Sequence, residues 1–398
     1  MLQAFFNGLS GMLTFSRGLD SISNNIANMN TPGYRGSEVF YRSVLGPDNS
    51  GIGSQIAGDS LRLESGDINQ TNNATDLAIN GQGYFILQDG DTQYYTRGGA
   101  FEFNSDGILV DRATGYQVMG ITEAGELINM DISELAVYPP EPTTQLNFSG
   151  NLAPEQEDSY QTQNAFYINS RGEEIELVFE FTYRDLNTGS STLQTWEYTV
   201  STTGDNAQII AFGTMDFING SISGFDNEEQ ITIPADANGT AEEEQVLTLS
   251  FGDGVFREIT NNSGTSNVTV SLEDGVAAGG LLNSFFTPEG VIRLEYSNGQ
   301  TQDGAQLALV YSSSGKDLEQ AEGNLFTAKN SATLQFGRPG EDIFGDVLGS
   351  FIELSNVDMA REFADMIIIQ RGYQASSRVL SIANELVEQL YSNTGGRG

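Results

Sequence analysis

At the two ends of this chain apolar residues recur at helical spacing, and between the ends the pattern gives way to short β-prone runs divided by turns. From Leu2 to about Asn28 the apolar positions are Leu2, Phe5, Phe6, Leu9, Met12, Leu13, Leu19, Ile22 and Ile26, a spacing that predicts a helix. Phe5, Leu9, Met12, Ser16, Leu19 and Ile26 share a seam of alternating four and three. Gly8, Gly11 and Gly18 weaken such a helix in isolation, so it needs a partner. The helix then exits through Asn28, Thr31, Pro32, Gly33 and Tyr34: Pro32 biases Thr31 out of the helical region and Gly33 permits a sharp turn.

The far end supplies a second segment of the same kind. Met359, Met366, Tyr373, Leu380 and Val387 recur every seventh residue, and Phe363, Gln370, Ser377, Asn384 and Tyr391 follow each by four. Ile367, Ile368, Val379, Ile382, Leu386 and Leu390 widen the face beyond a narrow two-stranded seam. Ser355 or Asn356 is expected to cap this helix, with Asp358 in its first turn. A face this wide calls for neighbours on more than one side. The expected arrangement packs the two terminal helices together and turns Leu9, Met12, Leu19, Ile26, Met359, Phe363, Met366, Tyr373, Leu380 and Val387 to assembly with other copies. A single helical hairpin docked on its own domain is the alternative.

The fold class expected is mixed and mainly β: terminal helices forming a coiled-coil-like core, with two or three β-rich domains nested by insertion. Asn80-Gly81, Asp89-Gly90 and Asp106-Gly107 punctuate residues 76–111 as turn signals. Strands are predicted at 174–183, 193–200, 290–300 and 306–314. Residues 146–285 differ in composition, with 22 acidic and 3 basic residues, and Pro139, Pro140 and Pro142 stand at their start. The division expected is a helical domain of 1–45 with 350–398, a split β-rich domain of 46–145 with 286–349, and an inserted acidic β-rich domain of 146–285. Insertion lets the chain ends meet.

Composition removes most chemistry. There is no His and no Cys, so imidazole triads, thiolate nucleophiles, disulfides and the usual zinc sites lose their residues. The only lysines, Lys316 and Lys329, sit in polar, loop-like sequence. With 54 acidic against 17 basic residues, the surface repels a phosphate backbone and argues against nucleic-acid binding. Glu173-Glu174-Glu176 and Glu242-Glu243-Glu244 read as solvated faces rather than a catalytic acid and base. Acidic loops at 226–230 and 236–244 could hold a divalent cation loosely, but neither has the spacing of a calcium loop. Tyr94, Tyr95, Phe101 and Phe103 alternate as strand residues, with a carbohydrate platform as the rival to core packing. No catalytic residue, cofactor or metal site is expected. No run reaches the length of a membrane span, so membrane insertion is not expected, and the opening residues lack the pattern of a cleaved signal peptide.

Three motifs in order, "NNIANMNTPGYR" (24–35), "TDLAINGQGYFIL" (75–87) with "YYTRGGAFEFNSDGILV" (94–110), and "SNVDMAREFADMIIIQRGYQASSRVLSIANELVEQL" (355–390), resemble those of bacterial flagellar axial proteins of the rod and hook family. Length, the large insert, "GNLAPE" (150–155) and "EGNLFTA" (322–328) point to the hook branch over the shorter distal rod branch. The resemblance implies a structural subunit that polymerises into a curved flexible tube, a universal joint passing motor torque from rod to filament. It implies an inner tube of terminal helices, a middle layer of split β-domain and the insert outermost. It also implies partners: further copies of the chain, the distal rod protein, a hook cap, hook-filament junction proteins and the type III export apparatus, through which subunits leave the cell without a cleaved signal. A distal rod protein or a secreted adhesin are the rival readings.

Overall fold

Helix α1 spans Leu2–Ala27 and helix α2 spans Met359–Gly395, and they pack antiparallel, Gly18 beside Ile369 and Gly8 beside Ser376 and Leu380. Their seam is built from small residues. A Cβ at Gly8 would stand 3.2 Å from the Ser376 carbonyl oxygen, and one at Gly372 would meet the Phe15 ring at 2.6 Å. The glycines that weaken α1 alone are therefore what let the two backbones approach. Helix α2 is capped differently from expectation. Asp358 Oδ1 accepts from the Ala360 and Arg361 amides at 2.7 and 3.2 Å, so Asp358, not Ser355 or Asn356, is the N-cap. Asn356 is drawn away to bind Gly36, Arg62 and Glu64 instead.

The structure, a computed structural model, describes residues 2–45, 51–154, 159–163, 165–184, 193–203, 208–223, 228–234, 244–252, 259–312, 317–329 and 333–395. The chain forms two compact units: Met1–Glu134 with Asn283–Leu294 and Gln302–Gly398, and Leu135–Leu282 with Glu295–Thr301.

In the first unit, β1 (Ser37–Leu45) and β2 (Gly51–Leu61) pair antiparallel as a hairpin beside α1. Thr14 donates to the Ser54 carbonyl and Asn25 to that of Ser37. Beyond the hairpin, β3 (Ile68–Gln70) pairs with Phe351–Glu353 and β4 (Leu77–Asn80) with Asp346–Gly349. The outgoing and returning stretches of chain thus share sheets. Asn80-Gly81 makes no hairpin, since β4 pairs with Asp346–Gly349; Gly81 adopts φ 136°, and a Cβ there would lie 2.7 Å from the Gly345 Cα. Strands β5 (Tyr84–Asp89) and β6 (Thr92–Thr96) do form one, turning at Gly90 and Asp91. So do β7 (Phe101–Phe103) and β8 (Leu109–Asp111), around Asp106-Gly107, while β9 (Gln117–Ile121) pairs with β5. Tyr95 and Phe101 are buried in the core, and Tyr94 stacks on Tyr116 at 5.2 Å. Tyr95 and Phe101 thus go to core packing, while Tyr94 and Phe103 are half-buried.

The second unit is β throughout its described residues. Strand Glu174–Arg184 shows why: Leu177, Phe179 and Phe181 point inward while Glu174, Glu176 and Glu180 point out, the period of two that a half-buried strand requires. It pairs with Leu193–Thr202, which pairs in turn with Ile209–Ile218. A second sheet is built around Gln145–Asn151, which runs parallel to Gln245–Ser250 and antiparallel to Thr269–Leu272. Trp196, Phe148, Phe179, Phe217 and Phe251 form one core drawn from both sheets. On the outside, Phe212 is 80% exposed, an apolar exception on a surface expected to be polar.

Candidate functional site

The exit of α1 is a series of turns. Thr31 N donates to the Asn28 carbonyl at 3.0 Å and Tyr34 N to that of Thr31 at 3.2 Å. Gly33 sits at φ 67°, and a Cβ there would come within 2.1 Å of the Gly98 nitrogen, so only glycine allows the exit to lie against the Arg97-Gly98 turn. Asn324 Nδ2 donates to the Pro32 carbonyl at 2.8 Å. The Gly33 amide donates to the Glu353 carbonyl at 2.8 Å. The start and the end of the chain are joined here.

Beneath this exit lies a buried ion network. Glu353 is fully buried; its Oε1 meets Arg35 at 2.8 Å and its Oε2 meets Arg97 at 3.3 Å, with the Gly66 amide donating to Oε1 at 2.9 Å. Arg35 also donates to the Glu64 carbonyl, and Arg97 to that of Gly81 at 2.7 Å. Burial pulls the Arg97 guanidinium below its ordinary value, and Glu353 opposes that shift. A second buried carboxylate, Glu362 on α2, meets Arg62 at 2.6 Å and accepts from Asn25 of α1 at 3.2 Å. Asn25 Nδ2 also donates to the Ser37 carbonyl, and Tyr34 donates from its hydroxyl to Asn25 Oδ1; burial raises the Tyr34 phenol. Buried charges persist only when paired and hydrogen-bonded. The arrangement has no reactive centre. It fastens α1, α2 and the strands between them at one point.

Sequence reasoning pointed to the exit residues and missed the ions under them. Arg35, Arg62, Arg97, Glu353, Glu362 and Asn25 carry no periodic signal. The available clue was scarcity, since basic residues number 17 and two of them fall inside the apolar motifs "TPGYR" and "TRGGAF". The structure places the predicted apolar lanes elsewhere. Leu9, Met12, Leu19 and Ile26 are half-buried beside the α1–α2 seam, Met366 and Leu380 are half-buried, and Met359, Phe363, Tyr373 and Val387 are exposed. None of these side chains reaches the ion network. Residues 226–227 and 236–243, and Lys316, lie outside the described residues, while Glu228, Glu229 and Gln230 belong to the strand Glu228–Ile233. Among the described residues no group of three or more His, Cys, Asp or Glu is placed to hold a metal ion.

Three segments match known families: residues 6–35 match "Flagella basal body rod protein", residues 78–173 "Flagellar hook protein FlgE/F/G D1 domain", and residues 348–393 "Flagellar basal body rod FlgEFG protein C-terminal". In these three segments the chain is similar to flagellar rod and hook proteins. It is 27% identical to the flagellar hook protein FlgE of Borreliella burgdorferi over 98% of this chain and 99% of that one. With FlgE of Brucella suis it shares 29% over 96% of each, and with FlgE of Escherichia coli 25% over 97% and 99%. The crystal structure of Helicobacter pylori flagellar hook protein FlgE2 aligns over 72% of this chain and 100% of that one, with 15% identity and a TM-score of 0.45. Each matched segment contributes to the ion network: Asn25 and Arg35, then Arg97, then Glu353 and Glu362. Among the described residues no helix is long and apolar enough to cross a membrane.

Proposed function

We propose that the chain is the structural subunit of a bacterial flagellar hook, polymerising into a curved flexible tube that passes torque from rod to filament. The observation that carries this reading is the pair of terminal helices, packed on each other yet presenting wide apolar faces to solvent, in a chain alike to hook proteins over nearly their whole length. Helices of this kind are completed only by neighbours, so folding of the ends and assembly become one event. Leu9, Met12, Leu19, Ile26, Met359, Phe363, Met366, Tyr373, Leu380 and Val387 are the assembly faces in this reading. Asn28, Thr31, Pro32, Gly33 and Tyr34 join the inner tube to the next layer. Its partners are other copies, the distal rod protein, the hook cap, the junction proteins and the type III export apparatus, and its place is the flagellum outside the cell. A distal rod or other hook-like axial protein is the second reading, favoured by the rod-protein matches at both ends.

The test is electron microscopy of detached basal bodies labelled with an antibody against residues 146–285. Label along a short curved segment between rod and filament supports the hook. Label confined to the straight rod selects the second reading, and a flagellum without label removes both.

A further inference from the structure

Helix α1 has a second apolar face that its own partner helix does not cover. Phe6, Leu13 and Arg17 on α1, with Val44, Ile52 and Ile56 on the β1–β2 hairpin, line an open groove of about 840 Å³. Its walls are held in place by Thr14 donating to the Ser54 carbonyl and the Ser54 amide donating to Ser10 Oγ. Phe6 is 53% and Leu13 61% exposed, so the groove presents apolar side chains to solvent between polar walls. Helix α2 meets α1 through Gly8, Gly11 and Gly18, a different face, and so does not enter it. Arg17 is the charged residue among those lining the groove.

Helix α2 carries a ridge of the matching kind. Ile382 and Leu386, four apart, are exposed, while Val379 lies toward Gly8 of its own α1. From Val379 to Ser392 the charged residues are Glu385 and Glu388, with no basic residue. Leu380 lies level with Gly8, from which α1 has six residues to run and α2 fifteen. At about 1.5 Å per residue, the start of α1 falls level with Leu386, and α2 runs on beyond it by roughly two turns. We propose that the groove receives residues 382–388 of α2 from a second copy of the chain, with Ile382 and Leu386 seated against Phe6, Leu13 and Ile52, and Glu385 turned to Arg17. Opposite charges select this partner in a chain whose surface is otherwise acidic. Groove and ridge are different surfaces, so the contact is heterologous and repeats from copy to copy without closing. The inference rests on the reading of the chain as a polymerising axial subunit and names one contact of that polymer.

The absence of native cysteine makes the test direct. Two full-length variants, Leu13→Cys and a size-tagged Leu386→Cys, both at exposed positions, are mixed, polymerised near 0.15 M salt and mildly oxidised. The expected product is a 13–386 disulfide heterodimer within the sedimenting polymer. In parallel, Arg17→Glu raises the concentration needed for polymerisation severalfold, and adding Glu385→Arg restores it. Polymers that form without the heterodimer, or that yield only 13–13 dimers, overturn the contact while leaving the axial reading intact. A wild-type chain that stays monomeric under all these conditions removes both.

Discussion

Glu353 shows how much one side chain can hold. It bonds two arginines that lie far from it in the chain and it accepts a backbone amide. Removing one partner of a buried pair strands the others and costs about 3–5 kcal/mol. Glu353→Ala is therefore expected to lower the urea midpoint of the first unit, followed by helix circular dichroism. The fluorescence of Trp196, the single tryptophan, reports the second unit and should not move. Asp274 in that second unit is expected to respond to pH. Burial pushes its carboxyl up, but bonds from Thr144 and the Gln145 amide outweigh this and leave it below its ordinary value of 3.8. A depressed folded value contributes stability that is present above the unfolded value and lost as pH falls through the folded one. Resistance to denaturation, followed by Trp196, should thus fall as pH drops below about 3.8, and Asp274→Asn should flatten that dependence. An unchanged slope in the variant would assign the acid sensitivity to other carboxylates.

Among the elements, the α1–α2 pair separates two kinds of face. The seam sets small residues, Gly8, Gly11, Gly18, Gly372, Ser376 and Ala383, against larger ones such as Phe15 and Ile369. Close packing of backbones leaves no room for added carbons, and overpacking costs about 1–3 kcal/mol. Gly372→Leu is expected to splay the helices by driving into the Phe15 ring, lowering helix content and abolishing sedimentable polymer. Tyr373→Ala, on the exposed lane, should leave the chain folded and weaken polymerisation alone. If Gly372→Leu polymerised like the parent chain, the seam would have to be more compliant than its distances imply.

At the scale of the whole molecule, 54 acidic residues face 17 basic ones. Crowding such copies into a tube brings like charges together, and their repulsion is screened over about 10 Å at 0.1 M salt but about 30 Å at 0.01 M. Desalting is therefore expected to lower the thermal stability of the assembled polymer more than that of the monomer, measured side by side by calorimetry. Equal shifts in the two would mean that the acidic surfaces do not approach one another on assembly. The division into inner, middle and outer layers at residues 45, 145, 285 and 349 stands as part of this proposal, and the salt response of the polymer bears on the outer one.

Both terminal helices, the β character between them and the exit at Pro32-Gly33 were legible in the residues themselves, because period, turn chemistry and proline sterics are local properties. The lack of imidazole and thiol was equally plain from composition. What only the tertiary structure decided is which face of each helix meets the other, because small residues leave no apolar period to follow. It also decided that Asp358 rather than Asn356 caps α2, since Asn356 is claimed by Gly36, Arg62 and Glu64. The network of Arg35, Arg97 and Glu353 joins positions whose partners lie hundreds of residues away. A charge is buried only where the fold brings its counter-charge, and that meeting is written in the packing of the whole chain.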